Sequence, residues 1–448
     1  MTNRPPETRY AENGDISIAY QVVGDGELTL FVLPGLFSNV DSFHELPGYS
    51  ETLNRLAEFS RVVTFDKRGQ GLSDRIEGVP SLEERVSDIR AVMKALDVDK
   101  VALLGCSDGG SMAMLFAATY PEHTIGLMLF GAFAKAFADD DYPFMPVREE
   151  RQARVEAFAA NLGKGMSLNM MDPDRAADAD VRRLYGRAER ASATPKSLLR
   201  YFKLVIDTDL RPILPAIRVP TLVLHHRNDI QAPFASGQHL ADSIDGARFV
   251  DLGLGGHAFW SGDSRKLADE IRGFLIGDGR AAVATDRTLA TILFTDIVGS
   301  TRALSEMGDA KWRDLLDSHD KLAAQTVSRF RGRLIKSTGD GLLAIFDSPG
   351  RAIQCAGELT RDMTGLGISL RNGIHTGEIE TRGDDISGIA VHTAARILET
   401  ADAGEIHVSG IVAALVAGSP QFSFSDCGPA DLAGIPGPVH LLEARIGG

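Results

Sequence analysis

Between residues 16 and about 277 the chain alternates short apolar runs with helical patterns, and this alternation constrains its fold more than any other feature. Residues 28–33, 61–65, 100–104, 125–130 and 221–225 read as buried strands, each bounded by Gly, Pro or Asp. The stretch 81–96 reads as a helix. Ser81 and Glu84 suit a capping box, and Leu82, Val86, Ile89, Met93 and Leu96 share one face. Strands alternating with helices predict a mostly parallel α/β sheet. From about 134 to 217 the rhythm stops. That stretch is rich in Ala, Arg, Asp and Glu, with helical patterns such as 149–161 and no strong strand, as expected of a helical cap inserted over the sheet.

The small, polar run Gly277-Asp-Gly-Arg-Ala-Ala-Val-Ala-Thr-Asp286 marks a boundary. It predicts an N-terminal domain over 1–277 with its cap at about 134–217, a linker over 278–288 and a C-terminal domain over 289–448. The latter reads as a strand at 289–295, a long helix at 303–330 and a hairpin turning at Gly339-Asp340-Gly341. A helix at 350–364, a strand at 369–375, a helix at 388–399 and terminal strands follow. This order suits an α+β sheet of the split βαβ type.

A net charge of −14 argues against a broad nucleic-acid surface, which needs clustered Lys and Arg, but not against a nucleotide in one local pocket. Cys106, Cys355 and Cys427 are odd in number and lack ligand-like spacing, so reduced thiols are expected. The first residues lack the apolar core of a signal peptide, and no apolar run approaches the roughly 20 residues of a membrane span. The expectation is a cytoplasmic protein with neither membrane nor nucleic acid as partner.

Two sets of residues carry chemistry. In the first, Gly105-Cys106-Ser107-Asp108-Gly109 lies between a strand and an apolar helix, the context a strained nucleophile elbow requires. Leu33-Pro-Gly-Leu36 follows an early strand, where a backbone N–H of Leu36 can join that of Asp108 in an oxyanion hole. Asp229 ends the strand 221–225 region, and His257 lies in Gly255-Gly-His-Ala-Phe259, giving the order Ser107, Asp229, His257. With the loop Phe65-Asp-Lys-Arg-Gly-Gln-Gly-Leu-Ser-Asp74, these residues resemble the α/β-hydrolase family across nearly all of the first 277 residues. The resemblance implies that His257 takes the Ser107 proton, Asp229 holds the imidazole, and a small ester or other small molecule binds. The other reading is a hydrolase fold kept for ligand binding alone. His225 and His226 read as strand-end structural residues and Cys106 as packing.

In the second set, Phe294-Thr-Asp-Ile-Val-Gly-Ser-Thr301 and Lys336-Ser-Thr-Gly-Asp-Gly341 each end an apolar strand on an aspartate beside glycine and hydroxyl residues. Asp296 and Asp340 so placed suit hard divalent cations and phosphate. Either aspartate alone is as readily a turn cap. Together the two segments resemble the metal-binding signature of class III nucleotidyl cyclases, over about 289–446. The resemblance implies an adenylyl cyclase forming cyclic AMP from ATP. Asp296, Ile297 and Asp340 would hold two Mg²⁺ or Mn²⁺ ions, Lys336 and Asp385 would read adenine, and Arg396 would stabilise the transition state. It also implies a homodimer, because metals and base-reading residues come from different subunits. The stretch Gly373-Ile-His-Thr-Gly-Glu378 matches a mainly structural family segment. Two positions depart from the family: His392 stands for an asparagine, and Ala433 for a phosphate-binding lysine. A histidine differs in reach and donor count, so weak turnover with a pH dependence is expected. The whole is similar to hydrolase–cyclase fusions of bacteria, mycobacteria in particular. A cyclase whose hydrolase-like domain senses a small molecule or modulates output is the first expectation. An esterase with a degenerate cyclase half is the second, and a silent receptor pocket the third.

Overall fold

The computed structural model describes residues 5–277, 287–337, 339–383 and 385–447. Most of the expected linker 278–288, and Thr338 of the second cyclase-like segment, lie outside the described residues. No helix among those described is long and apolar enough to cross a membrane. They form two compact units, one ending at 277 and one starting at 287.

The first unit is built on β1 (Arg9–Asn13), β2 (Ile16–Val23), β3 (Thr29–Leu33), β4 (Arg61–Phe65), β5 (Val101–Cys106), β6 (Thr124–Phe130), β7 (Thr221–His225) and β8 (Arg248–Asp251). Their order in the sheet is β1-β2-β4-β3-β5-β6-β7-β8. β1 and β2 run antiparallel at one edge, and from β4 onward the strands are parallel. β3, β5 and β7 are buried along their whole length, which is why they read as unbroken apolar runs rather than alternating ones. Helix Leu82–Ala95 crosses from β4 to β5, with the capping box of Ser81 and Glu84 formed in both directions. Helix Gly109–Thr119 follows β5 and is buried through nearly all of it. Between β6 and β7 stand helices Arg148–Ala160, Ala179–Ser192 and Pro195–Asp207. Loops leaving the carboxyl ends of a parallel sheet converge on one side, where such folds bind ligands. Ser107, Asp229 and His257 all lie on such loops.

The second unit contains β9 (Arg287–Ile297), β10 (Arg333–Ser337), β11 (Gly341–Phe346), β12 (Leu370–Arg382), β13 (Asp385–Ser387), β14 (Ile406–Ser409), β15 (Phe422–Ala430) and β16 (Val439–Ile446). The sheet order is β10-β11-β9-β12-β14-β16-β15, with β13 on β12. One face is covered by helices Asp309–Arg329 and Pro349–Gly365, around a core including Leu293, Val327, Ile353, Leu359 and Ile374. The strand expected at 369–375 runs on to Arg382 because β9 pairs with it as far as Glu380 and β13 with its last residues. The long helix expected at 303–330 is instead two, Ser300–Met307 and Asp309–Arg329. Gly308 lies between them at φ +81°, a backbone that leaves the right-handed helix and that glycine adopts without a Cβ penalty.

Candidate functional site

The elbow after β5 needs its glycines because three backbones meet there. A Cβ on Gly105 would stand 2.7 Å from the Gly110 Cα, one on Gly109 2.3 Å from the Leu33 carbonyl oxygen, and one on Gly110 2.6 Å from the Ala132 Cβ. This crowding holds Ser107 at φ +54°, a strained value for a residue with a side chain. Its Oγ lies 2.7 Å from His257 Nε2, and His257 Nδ1 lies 2.7 Å from Asp229 Oδ2. The Asp229 Oδ1 accepts the N–H groups of Gln231 (2.8 Å) and Ala232 (3.0 Å), which fixes the carboxylate plane. Burial acts to raise the Asp229 pKa, but His257, with the Ala232 N–H among the lesser contributions, outweighs it and holds the carboxyl below its usual value. The loop carrying Leu36 presses on the serine: a Cβ on Gly35 would sit 3.0 Å from the Ser107 Cβ. The N–H groups of Leu36 and Asp108 have no acceptor among the described residues, as an oxyanion hole requires. A cavity of about 50 Å³ adjoins Ser107 and His257, with Phe37, Val40, Phe43, Met171 and Trp260 in its wall. His225 and His226 are buried and donate from Nε2 and Nδ1 to the Ala232 (2.7 Å) and Gly256 (2.8 Å) carbonyls, consistent with structural roles. Cys106 is a buried thiol whose pKa burial raises, so it is inert packing.

Beneath the oxyanion loop lies a buried ionic cluster that no motif announces. Asp108 meets Arg85 at 3.1 Å and Lys67 at 3.5 Å, and all three side chains are at most 4% exposed. The Tyr201 hydroxyl, from the cap helix Pro195–Asp207, donates to Asp108 and receives Lys67 Nζ at 2.9 Å. Lys67 also donates to the Gly35 carbonyl, which orients the Gly35–Leu36 peptide. Burial would lift the Asp108 carboxyl, yet Arg85 and Lys67 hold it low, while burial pulls Lys67 down to about 8. Lys67 lies in the loop already singled out from sequence. Only its fold partners reveal what it does.

In the second unit, β9–β11 pairing sets Asp296 opposite Gly341, so Asp340 falls beside Asp296 at the sheet end. The Ile297 N–H donates to the Asp340 carbonyl at 3.0 Å. Asp296 is further held by Arg371, its strand neighbour on β12: Nε and Nη2 both donate to Oδ2, at 3.0 and 2.6 Å. Oδ1 has no partner among the described residues. Two aspartates at neighbouring positions of one sheet end, with a free oxygen on Asp296, suit hard cations such as Mg²⁺ and Mn²⁺. Among the described residues no cluster of three or more His, Cys, Asp or Glu side chains suits a metal, so further ligands must be carbonyls, water or substrate. Lys336 and Asp385 meet at 3.0 Å on the exposed surface, which lowers the Asp385 pKa through that contact. His392 and Arg396 share one face of helix Ile389–Glu399; Arg396 pairs with Glu399 at 2.5 Å. Within one chain nothing described joins them to Asp296 or Asp340. Ala433 is exposed in the loop between β15 and β16.

Comparisons with known proteins agree with this division. Residues 44–250 match the family Hydrolase_4, described as "Serine aminopeptidase, S33", and residues 283–443 match "Adenylate and Guanylate cyclase catalytic domain". Human "Serine hydrolase BPHL" is 27% identical over 272 residues, covering 59% of this chain and 85% of that protein. "Putative adenylate cyclase 3" of Rhizobium meliloti (strain 1021) is 32% identical over 170 residues, covering 35% of this chain and 28% of that relative's length. An esterase structure from Exiguobacterium antarcticum superposes with a TM-score of 0.50 at 23% identity, over 59% of this chain and 98% of that one, a likeness of fold. The chain joins a domain of the α/β-hydrolase family, N-terminal, to a domain of the adenylate and guanylate cyclase catalytic family, C-terminal.

Proposed function

We propose that the chain is an adenylyl cyclase, converting ATP to cyclic AMP and pyrophosphate, with a serine hydrolase acting on a small ester as its second activity. The observation that carries the cyclase reading is the adjacency of Asp296 and Asp340, with Lys336 and Asp385 held together on the same unit. Two Mg²⁺ or Mn²⁺ ions, held by Asp296, Asp340 and the Ile297 carbonyl, would supply Lewis-acid stabilisation of the phosphates. Lys336 and Asp385 would present a donor and an acceptor to the adenine edge. Arg396 and His392 would donate to the α-phosphoryl oxygens as charge builds. Since neither meets the aspartates of its own chain, a homodimer with composite sites is the reading that brings them together. Apolar surface left open at Leu334, Val298 and Ile389 supports it. Domain limits of 1–277 and 289–448, with a cap at about 134–217, go with this proposal, as does a cytoplasmic location.

The hydrolase reading rests on the Ser107–His257–Asp229 contacts. His257 would take the serine proton as Oγ attacks the ester carbonyl, the N–H groups of Leu36 and Asp108 would receive the oxyanion, and His257 would return the proton to the leaving alcohol. Its apolar wall favours a short acyl group. Separate assays of the full chain test both halves. Asp296→Ala is expected to abolish cyclic AMP formation and spare ester cleavage, and Ser107→Ala the reverse. Cyclic AMP formed by Asp296→Ala, or ester cleavage by Ser107→Ala, overturns the corresponding assignment.

A further inference from the structure

A second cleft of the first unit, about 190 Å³, opens between the loop after β4 and the cap. Arg68, Arg75 and Arg190 all line it, and no Asp or Glu does among the described residues. This is notable in a chain of net charge −14. Arg68 is neutralised from behind by Asp88, at 2.6 and 2.8 Å. The other two are not. Arg75 donates to the carbonyls of Gly69 (2.9 Å) and Gly71 (3.3 Å), and Arg190 to that of Gly163. Asp66, whose carboxyl Arg75 influences through space, is buried and spends its oxygens on the N–H groups of Val40 (2.9 Å) and Leu72 (2.7 Å). Two guanidinium groups thus share one cleft without a facing carboxylate, an arrangement that leaves a positive potential for an anion to satisfy. Both keep N–H donors in the planar fork that matches phosphate oxygens. Ser197 and Thr194 add hydroxyls to the wall, while Ile76, Val79 and Pro80 add an apolar side.

We propose that this cleft binds a small phosphate ester, its dianionic group held by Arg75 and Arg190 and its organic part against Ile76, Val79 and Pro80. The site is separate from Ser107 but one contact away from its supports. Gln70, in the cleft wall, donates to the Leu36 carbonyl at 3.0 Å, and Tyr201, also in the wall, donates to Asp108. The proposal does not depend on either activity proposed above.

Isothermal titration of the full chain, in chelator and without divalent cations, tests it with phenyl phosphate, inorganic phosphate and benzoate as probes. One phenyl phosphate per chain is expected to bind, more tightly than inorganic phosphate, which lacks the apolar part, or benzoate, which lacks the second charge. Arg75→Gln combined with Arg190→Gln should weaken it at least about tenfold, and Asp296→Ala should leave it unchanged. Should the double variant fold poorly, Arg190→Lys keeps the charge but not the fork, and is expected to weaken binding of the ester severalfold. The proposal is overturned by three results: no saturable binding, benzoate binding as tightly as the ester, or binding that survives the arginine changes and is lost in Asp296→Ala. The last would assign the phosphate to the cyclase unit.

Discussion

Replacing Asp108 by Asn tests the buried cluster under the oxyanion loop most directly. The change keeps the backbone N–H and the side-chain shape but removes the one negative charge between Lys67 and Arg85, which lie at 3.5 and 3.1 Å and are essentially inaccessible to water. Deleting one partner of a buried ionic contact leaves the other charge desolvated and uncompensated, at a cost of about 3–5 kcal/mol. Here two cations are left facing each other, and Lys67 can relieve part of the cost by losing its proton, since burial already holds its pKa at about 8. A net loss of about 3 kcal/mol is therefore expected near neutral pH, or roughly 10 °C in unfolding midpoint for a unit of this size. The assay is thermal and urea unfolding followed by tryptophan fluorescence in a Trp312→Phe background. Trp260, buried beside the Ser107 cavity, then reports the first unit alone. The deficit should shrink as pH rises from 7 to 9 and Lys67 neutralises. Adding Lys67→Met to Asp108→Asn should recover part of the stability, because Lys67 and Asp108 leave together as a pair. An Asp108→Asn protein within about 1 kcal/mol of the parent, with no pH trend, would refute the claim that these charges are mutually dependent.

The second unit should be acid-sensitive through His375, whose pKa burial lowers to about 4 while its Nδ1 stays 2.8 Å from the Ser409 hydroxyl. The unfolded chain takes up this proton near pH 6.5 and the folded chain only near 4. Stability is thus complete above 6.5 and falls by about 2 kcal/mol as pH drops to 4, allowing for the ring's partial exposure. His375→Asn should flatten that slope when Trp312 fluorescence is followed in Trp260→Phe. Gly109→Ala forces a Cβ toward the Leu33 and Pro34 carbonyl oxygens, 2.3 and 2.6 Å away, and so displaces the loop carrying Leu36. Ester turnover should fall about a hundredfold, with a smaller change in KM, measured with a chromogenic ester. In the cyclase unit His392→Asn should raise the rate of cyclic AMP formation about tenfold, as an amide replaces a ring of different reach. An unchanged rate would place the limiting step elsewhere.

What could be read from the sequence was whatever one segment carries by itself. Ser107, Asp229 and His257 each lie in a loop after a strand; strand-then-turn patterns located the first two, the Gly-Gly-His segment and the chain order Ser, Asp, His located the third, and a parallel sheet gathers such loops on one side without further instruction. Asp296 and Asp340 were legible for the same reason, each ending its own apolar strand. The break at Gly308 was not, because the helical periodicity resumes on its far side, and only the backbone at φ +81° shows the interruption.

The residues that sequence missed are those whose meaning depends on register or on another layer. Arg371 looks like any strand residue until the antiparallel register of β9 and β12 sets it beside Asp296, 75 positions earlier. One slip of that register would turn Arg371 to the other face and leave Asp296 unheld. Lys67 and Arg68 are neighbours in one loop, yet Lys67 reaches Tyr201 of the cap and Arg68 reaches Asp88 of the crossover helix. A cap helix carries no periodic signal for which core charge it will meet, because its apolar stripe settles only that it packs. The cluster around Asp108 is therefore a product of three separate elements closing on one point. It ties the cap to the nucleophile elbow through Tyr201, so a ligand that moves the cap must also disturb the Gly35 carbonyl that Lys67 holds.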